Sequence, residues 1–238
     1  MAGKISRNFD IIMAGFVAVL LVSNVASSAK IVDWGVSLGA LPLAFDAGTL
    51  LFPVSYIFGD VLTEVYGYAR ARRVIWTGFA CLALMSAYLF LVEKMPGEGQ
   101  WLSYAGDNAF AAILGGVSTG GIVVASLSAY LFGEFSNSFV LAKMKIATRG
   151  KYLWTRTIGS TMIGQALDTS IFVLVACVFG VFPWEIAWSL IVSNYIFKVC
   201  IEVMFTPVTY KVVRFLKRVE SEDYFDNGTN FNPFHVAS

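Results

Sequence analysis

Six stretches of this chain are long and apolar enough to cross a lipid bilayer, which takes about 20 predominantly apolar residues per helix. The chain has 238 residues, 57% of them hydrophobic and 14% charged, so it lacks the polar surface of a soluble domain of that length. Backbone polar groups in lipid must be satisfied within each segment, which predicts an all-α polytopic membrane protein with six transmembrane helices. The stretches are Ile11–Ala29, Leu43–Thr63, Val74–Val92, a window within Asn108–Gly133, Thr157–Trp184 and Ile186–Tyr210.

The basic residues are distributed unevenly between these stretches. Fourteen of the 17 lie before the first stretch, between the second and third, between the fourth and fifth, or after the sixth. All fourteen fall on one side of a membrane if the chain crosses six times, and the opposite connections hold only Lys30 and Lys94. The positive-inside rule then predicts that both termini are cytoplasmic. The start of the fourth window, near Gly106–Gly116, is expected to be a short interfacial helix or loop.

The amino-terminal segment allows a second interpretation. Lys4 and Arg7, the apolar run from Ile11 and the small residues up to Ala29 also match a secretory signal peptide. Removal of that segment would leave five crossings. The charge distribution favours its retention as the first helix.

The composition changes near the carboxyl terminus. From Val219 onward the chain is polar and acidic. We therefore predict a six-helix transmembrane domain over residues 1–218 and a polar, disordered cytoplasmic tail over residues 219–238.

Ionisable side chains interrupt three of the apolar stretches. Asp60 lies in the second, Asp168 in the fifth and Lys198 in the sixth. A charge at bilayer depth costs about 2.5–3.5 kcal/mol on insertion scales, so such residues face the bundle interior and mark functional sites. At about 1.5 Å per residue, each lies roughly 20–24 Å from the predicted outer end of its helix, so we expect a shared depth.

Helical spacing places further polar residues on the same faces, because residues three or four apart are neighbours on a helix. The groups are Asp60 with Glu64, Gln165 with Asp168, Glu134 with Asn137, and Asn194 with Lys198 and then Glu202. One interpretation is an ion-pair network that only holds helices together, with Lys198 bound to Asp168 or Glu202. The other is a binding site, which is favoured because the buried acids outnumber the buried cation. Glu64 could also be an interfacial charge beside Arg70.

Other kinds of site are disfavoured. The one histidine, His235, lies in the polar tail, and the three cysteines stand singly in apolar stretches, so we expect no metal site and no cofactor. No glycine pair is followed by the Lys-Ser/Thr of a phosphate loop. Serines within the membrane have no histidine base, so we do not expect an enzyme. The net charge of +1 does not indicate a nucleic-acid partner.

Three motifs resemble the queuosine precursor transporters, also called the vitamin uptake transporter family. The first is FPVSYIFGDVLTEVYG at residues 52–67, followed by ARRVIW at 71–76. The second runs from GST at 159–161 to QALDT at 165–169, and the third is NYIFK at 194–198. The resemblance covers roughly residues 10–218. The chain departs from the family pattern at Gly164, where a serine is expected, and at Glu202, where members more often carry a different residue.

The resemblance implies a bacterial inner-membrane protein similar in fold to the substrate-binding subunits of vitamin importers. It implies uptake of two queuosine precursors, 7-cyano-7-deazaguanine and 7-aminomethyl-7-deazaguanine. The alternative is a substrate-binding subunit for another vitamin-like molecule, which would require an external ATPase because the chain has no nucleotide motif. Expected partners are the deazaguanine base and the lipid bilayer. A homodimer is compatible with the sequence, and the energy source is left open.

The chemistry of a deazaguanine fits the polar residues. It has adjacent N–H donors on one edge, which a carboxylate can accept side by side, and a carbonyl acceptor beside them. We expect Asp60 or Asp168 to accept the donors, Gln165 and Asn194 to complete the hydrogen bonds, and Lys198 to donate to the carbonyl or hold an acid in position. The other candidates are Tyr56 and Tyr195 for ring stacking, and Glu64 and Glu134 for an inner gate or a proton path.

Overall fold

Long helices form most of the computed structural model, which describes residues 8–38, 41–118 and 120–235. Its helices are α1 (Phe9–Ala29), α2 (Phe52–Tyr66), α3 (Tyr68–Glu93), α4 (Gly99–Tyr104), α5 (Gly106–Ser118), α6 (Gly120–Ala147), α7 (Leu153–Val178) and α8 (Trp184–Glu220). Five segments of the described chain are long and apolar enough to span a membrane: α1, α3, α5 with α6, α7 and α8. The prediction of a polytopic helical membrane protein is confirmed.

The second predicted stretch, Leu43–Thr63, differs from the structure at its start. Its first residues belong to an antiparallel hairpin of β1 (Ile31–Leu38) and β2 (Leu41–Asp46), followed by a single 3-10 turn. Helix α2 begins only at Phe52, with a proline in its first turn, where the missing N–H is not needed. With 15 residues it is shorter than a full crossing, and it packs against α1, α3, α6 and α8.

The apolar core lies between α1, α2 and α3. Residues four apart on α1, namely Ile12, Phe16 and Leu20, form one buried stripe. This stripe belongs to the same buried cluster as Val61 of α2 and Val74 of α3. Residues 59–68 are all buried, so the end of α2 and the start of α3 are covered by neighbouring elements on every side.

Helices α6 and α7 approach closely at two facing glycines. A Cβ atom added to Gly164 would lie 3.1 Å from the Gly133 carbonyl oxygen and 2.8 Å from the Cβ of Asn137. Small residues at such contacts let two helix backbones approach in membranes. This contact explains why the chain has glycine at 164, where the resemblance leads us to expect serine.

One end of the bundle, called here the basic end, holds the turn at Gly67, the loop at residues 148–152 and the carboxyl terminus of α8. The φ angle of Gly67 is +85°, and a Cβ atom there would collide with the ring of Tyr224, so the turn requires glycine. At the opposite end, Ser28 donates to the Ile113 carbonyl, which places α5 beside the end of α1. Helix α5 covers the residues near Gly106–Gly116, and the interfacial position expected for them stays a prediction.

The tail differs from the expectation of disorder, because its described residues pack across the basic end. The Asp226 carboxylate accepts the backbone N–H of Tyr68, at 3.1 and 3.2 Å, and so caps the start of α3. The buried Arg72 donates to the carbonyls of Asn230 and Asn232 at 2.7 and 2.8 Å. A polar segment is ordered here because it supplies acceptors that these buried donors need.

Candidate functional site

Polar side chains from α2, α6 and α8 meet in a group that we call the acid cluster: Asp60, Glu134, Asn137 and Glu202. The Asn137 amide donates to Asp60 Oδ1 at 3.3 Å. The Glu134 carboxylate rests against α2 at Gly59, where an added Cβ atom would lie 3.4 Å from Oε2. Glu202 lies on α8, which packs against α2, and it is close enough for its charge to act on Asp60.

The acid cluster has more acceptors than donors. Asp60 and Glu202 both have 0% of their surface exposed. Within the described part of the chain, Asp60 Oδ2, Asn137 Oδ1 and both carboxyl oxygens of Glu202 have no hydrogen-bond partner. An unsatisfied buried polar group costs about 1–3 kcal/mol, and more when it is charged. The cluster is therefore suited to a ligand that supplies hydrogen-bond donors.

Asp168 and Lys198 form an ion pair between α7 and α8. The distance from Lys198 Nζ to Asp168 Oδ2 is 2.6 Å, and both side chains are partly exposed. Of the two partners that the sequence left open for Lys198, this pair uses Asp168. Asp168 also lies against Gly133, next to Glu134 of the acid cluster, with its Cβ atom 2.8 Å from an added Gly133 Cβ. The ion pair thus borders the acid cluster.

The structure does not bring every predicted residue to this region. Asn194 is exposed and its amide donates to the Leu190 carbonyl of its own helix, so it lies away from the acid cluster. Tyr195 is half-buried on α8. Gln165 is buried, follows Gly164 at the α6–α7 contact, and has no partner for Oε1 among the described residues. The Tyr56 side chain lies outside the described residues.

Glu64 belongs to a separate ion-pair network at the basic end, which we call the Glu64 lock: Glu64, Lys145, Arg156, Lys217 and Asp223. Arg156 of α7 binds the Glu64 carboxylate through two N–H groups, each at 2.7 Å. Lys217 of α8 donates to the same carboxylate at 2.5 Å. The lock therefore ties α2 to α7 and α8, and Glu64 is not the interfacial charge beside Arg70 that the sequence allowed.

Lys145 and the tail complete the lock. Lys145 Nζ donates to the backbone carbonyl of Glu64 at 2.6 Å and to the Asp223 carboxylate at 2.5 Å. Lys217 also lies 2.8 Å from Asp223. Partial burial raises the pKa of Asp223, but hydrogen bonds and charges from Lys145 and Lys217 outweigh it and lower that pKa below its usual value. The basic end is thus closed by four helices and the tail.

Two surface pockets formed by the described residues lie elsewhere. One of about 250 Å³ is lined by residues that include Val92, Trp101 and Phe110, and one of about 410 Å³ by residues that include Arg73 and Trp76. Neither includes a residue of the acid cluster. Because Asp60 and Glu202 have no exposed surface, a bicyclic heterocycle could reach them only after the surrounding helices separate.

A helical membrane protein with buried ionisable groups between its helices and a closed end is typical of a transporter. The chain belongs to the vitamin uptake transporter family, since a family model described as "Putative vitamin uptake transporter" matches residues 46–212. The membership that the three motifs indicated is therefore confirmed.

Two curated bacterial proteins are similar to this chain. One, "Probable queuosine precursor transporter" of Bacillus subtilis (strain 168), is 26% identical over 174 residues, which cover 73% of each protein. The other, "Queuosine precursor transporter" of Escherichia coli (strain K12), is 24% identical over 168 residues, 70% of this chain and 71% of the relative. No solved structure matches the chain, so the similarity of its fold to the substrate-binding subunits of vitamin importers stays a prediction.

Proposed function

We propose that this protein imports queuosine precursors, 7-cyano-7-deazaguanine and 7-aminomethyl-7-deazaguanine, across a bacterial inner membrane. The main support is that buried carboxyl oxygens of Asp60 and Glu202 have no hydrogen-bond donor among the described residues. These oxygens lie inside the helix bundle of a member of the vitamin uptake transporter family. A deazaguanine supplies two adjacent donors on its guanidine-like edge, which is enough for one of these two carboxylates. The names of the two bacterial relatives support the same substrate class.

The acid cluster and the neighbouring residues Gln165 and Lys198 are proposed to supply hydrogen-bond partners for the base. Asp60 accepts the two adjacent N–H groups, and Asn137, which already donates to Asp60, fixes the orientation of that carboxylate. The buried amide of Gln165 pairs with a neighbouring donor and acceptor of the base. Lys198, held by Asp168, donates to the carbonyl of the base.

Aromatic side chains complete the proposed site. Tyr195, three residues before Lys198, and Tyr56, one helical turn before Asp60, are proposed to cover the ring face. We propose no substrate contact for Asn194, because it is exposed and bonded to its own helix.

The Glu64 lock is the proposed inner gate. Lys and Arg enrichment at the basic end supports a cytoplasmic location for this end and for both termini. In the present structure the lock closes that end through α2, α6, α7 and α8. Substrate would therefore enter from the opposite end, and release would require the lock to open. Glu134, at the acid cluster, is a proposed member of a proton path.

Rescue of queuosine in tRNA tests this function. The host is a bacterium that can neither make the precursors nor import them by another route, supplied with nanomolar 7-cyano-7-deazaguanine. The wild-type chain is expected to restore queuosine, Asp60→Asn to fail, and Asn194→Ala, the matched control, to behave as wild type. Loss of rescue by Asn194→Ala with normal rescue by Asp60→Asn would contradict the proposed site. Absence of rescue by the wild type would contradict the function.

Uptake by the purified protein alone separates a carrier from a binding subunit. A carrier moves labelled precursor into proteoliposomes that contain no other protein. A subunit that needs an ATPase partner would bind the precursor, and be stabilised by it against thermal unfolding, but would not move it.

A further inference from the structure

Asp60 and Glu202 form a pair of carboxyl groups that substrate recognition does not fully explain. They come from different helices, α2 and α8, and neither has exposed surface. Three of their four oxygens have no hydrogen-bond partner among the described residues, and Asn137 donates to the fourth. Substrate binding as proposed above uses the Asp60 carboxylate and leaves the Glu202 carboxyl group without a role.

Among the described residues, no Lys or Arg forms an ion pair with either of these two carboxyl groups. The groups that act on the two carboxyls are other acids and one amide. Two further acids act on Asp60, namely Glu64 one turn along α2 and Glu134 on α6. Asp168 of α7 lies near Glu134, and Lys198 precedes Glu202 by one turn of α8. Lys198 forms its ion pair with Asp168, and the cations of the lock bind Glu64. Helices α1 and α3, which also pack on α2, carry charged residues only near their ends.

Two carboxylates close together in a low-dielectric interior repel each other, and a single proton bound between them removes that cost, as in catalytic carboxyl dyads. With one proton bound, one carboxyl group of such a pair can donate it to the other. The proton supplies the donor that the structure otherwise lacks at this position. It leaves one carboxylate able to accept hydrogen bonds from a ligand.

We propose that Asp60 and Glu202 form a proton-binding site that couples precursor uptake to a proton gradient. This inference rests on the proposed function and names the energy source for it. Glu202 keeps the proton while Asp60 accepts the donor edge of the base, so one proton enters with each neutral 7-cyano-7-deazaguanine molecule. The O–H bond of the Glu202 carboxyl group forms when the proton binds and breaks when it is released inside, and no bond of the base changes. A neutral base cannot compensate a second buried negative charge, so proton and base favour each other's binding reciprocally.

The test uses the full-length protein in proteoliposomes with labelled 7-cyano-7-deazaguanine and an acidic outer medium. At one proton per base, each pH unit supports at most about tenfold accumulation, since it is worth about 1.36 kcal/mol. Wild type is expected to accumulate the base and to raise the external pH when the base is added without an imposed gradient. Glu202→Gln, whose amide replaces the protonated acid, should still exchange labelled for unlabelled base but lose the accumulation.

The matched control is Glu185→Gln, because Glu185 is an exposed acid in the first turn of the same helix. It should leave both exchange and accumulation unchanged. Accumulation by Glu202→Gln at the wild-type level would overturn the inference, as would wild-type uptake that ignores the gradient. If Glu202→Gln does not fold, the wild-type measurement of external pH decides alone.

The two levels of the proposal fail differently. Wild-type protein that neither binds nor exchanges the base would overturn the proposed function together with the coupling. Wild-type protein that exchanges the base without any effect of the gradient would overturn the coupling alone.

Discussion

Glu64 of α2 and Arg156 of α7 form a buried bidentate ion pair, with both N–O distances at 2.7 Å. These residues are 92 positions apart in the chain, yet they fix the end of α2 beside the start of α7. Lys145 and Lys217 add two further cations, and Asp223 supplies the second acid. The closed state of the basic end therefore depends on one carboxylate at its centre.

Glu64→Gln is expected to destabilise the protein strongly. After this substitution, Asp223 is the one acid left in the lock for its three cations. Removal of one partner from a buried ion pair lowers the free energy of unfolding by about 3–5 kcal/mol. Thermal unfolding in detergent measures the effect. The control is Glu222→Gln, which removes a partly exposed pair with Arg70 and should cost at most about 1 kcal/mol. Equal unfolding temperatures for the two variants would contradict the central role of Glu64.

Gly164→Ser is expected to separate α6 from α7. The added Cβ atom would lie 2.8 Å from the Cβ of Asn137, which cannot move without disturbing its bond to Asp60. Such overpacking costs about 1–3 kcal/mol, and precursor binding should weaken as well.

The control is Gly159→Ser on the same helix. There the added atom meets the flexible end of Met144, at 3.1 and 3.2 Å, which can move aside. Thermal unfolding and precursor binding of both variants check the prediction. A fully stable Gly164→Ser variant with normal binding would show that the α6–α7 contact is not as tight as described.

Asp226→Ala is expected to release the tail from the basic end. Asp226 is buried, caps the start of α3 and accepts a hydrogen bond from Thr229 at 2.7 Å. Loss of a helix cap costs about 0.5–2 kcal/mol. Limited proteolysis should cleave the tail of this variant faster than the wild-type tail, whereas Asn227→Ala should resemble wild type. Equal and rapid cleavage of all three proteins would contradict the ordered tail.

The attachment of the tail is expected to weaken at acidic pH. The pKa of Asp223 is lower in the folded protein, where Lys145 and Lys217 bind its carboxylate, than in an unfolded chain. Its contribution to stability is therefore present above the unfolded value of about 3.9 and is lost as pH falls through the lower folded value. The stability difference between wild type and Asp223→Asn should be constant near neutral pH and vanish in acid. A difference that grows as pH falls would contradict this sign.

The sequence predicts the helices better than their connections. Apolar stretches define α1, α3, α7 and α8 because lipid-spanning helices need such composition. The apolar residues of β2 have the same composition as a lipid-spanning helix, so the second stretch is predicted to begin at Leu43, whereas α2 begins at Phe52. The ordered tail is missed because its partners, such as Arg72, are distant in sequence and their unsatisfied donors become evident only in the fold.

The polar site is predicted in part. Charges inside apolar stretches mark Asp60, which the structure buries between helices, and the pairing of Asp168 with Lys198 is one of the two pairings that the sequence allows. Helical spacing places Asn194 on the face of Lys198, but spacing cannot show that its amide turns back onto Leu190. The sequence places Glu202 one helical turn after Lys198 and marks it as a departure from the family pattern. Its contact with Asp60 depends on how α8 packs against α2, which spacing along one helix does not reveal.

Binding of 7-cyano-7-deazaguanine to purified full-length protein is the most direct measurement of the central claim, that Asp60 in the acid cluster recognises the base. Calorimetric titration should show binding to wild type and to Asn194→Ala. Asp60→Asn should weaken it by about 10- to 150-fold, since hydrogen bonds to charged groups contribute about 1.5–3 kcal/mol. Equal affinities for wild type and Asp60→Asn would contradict the account.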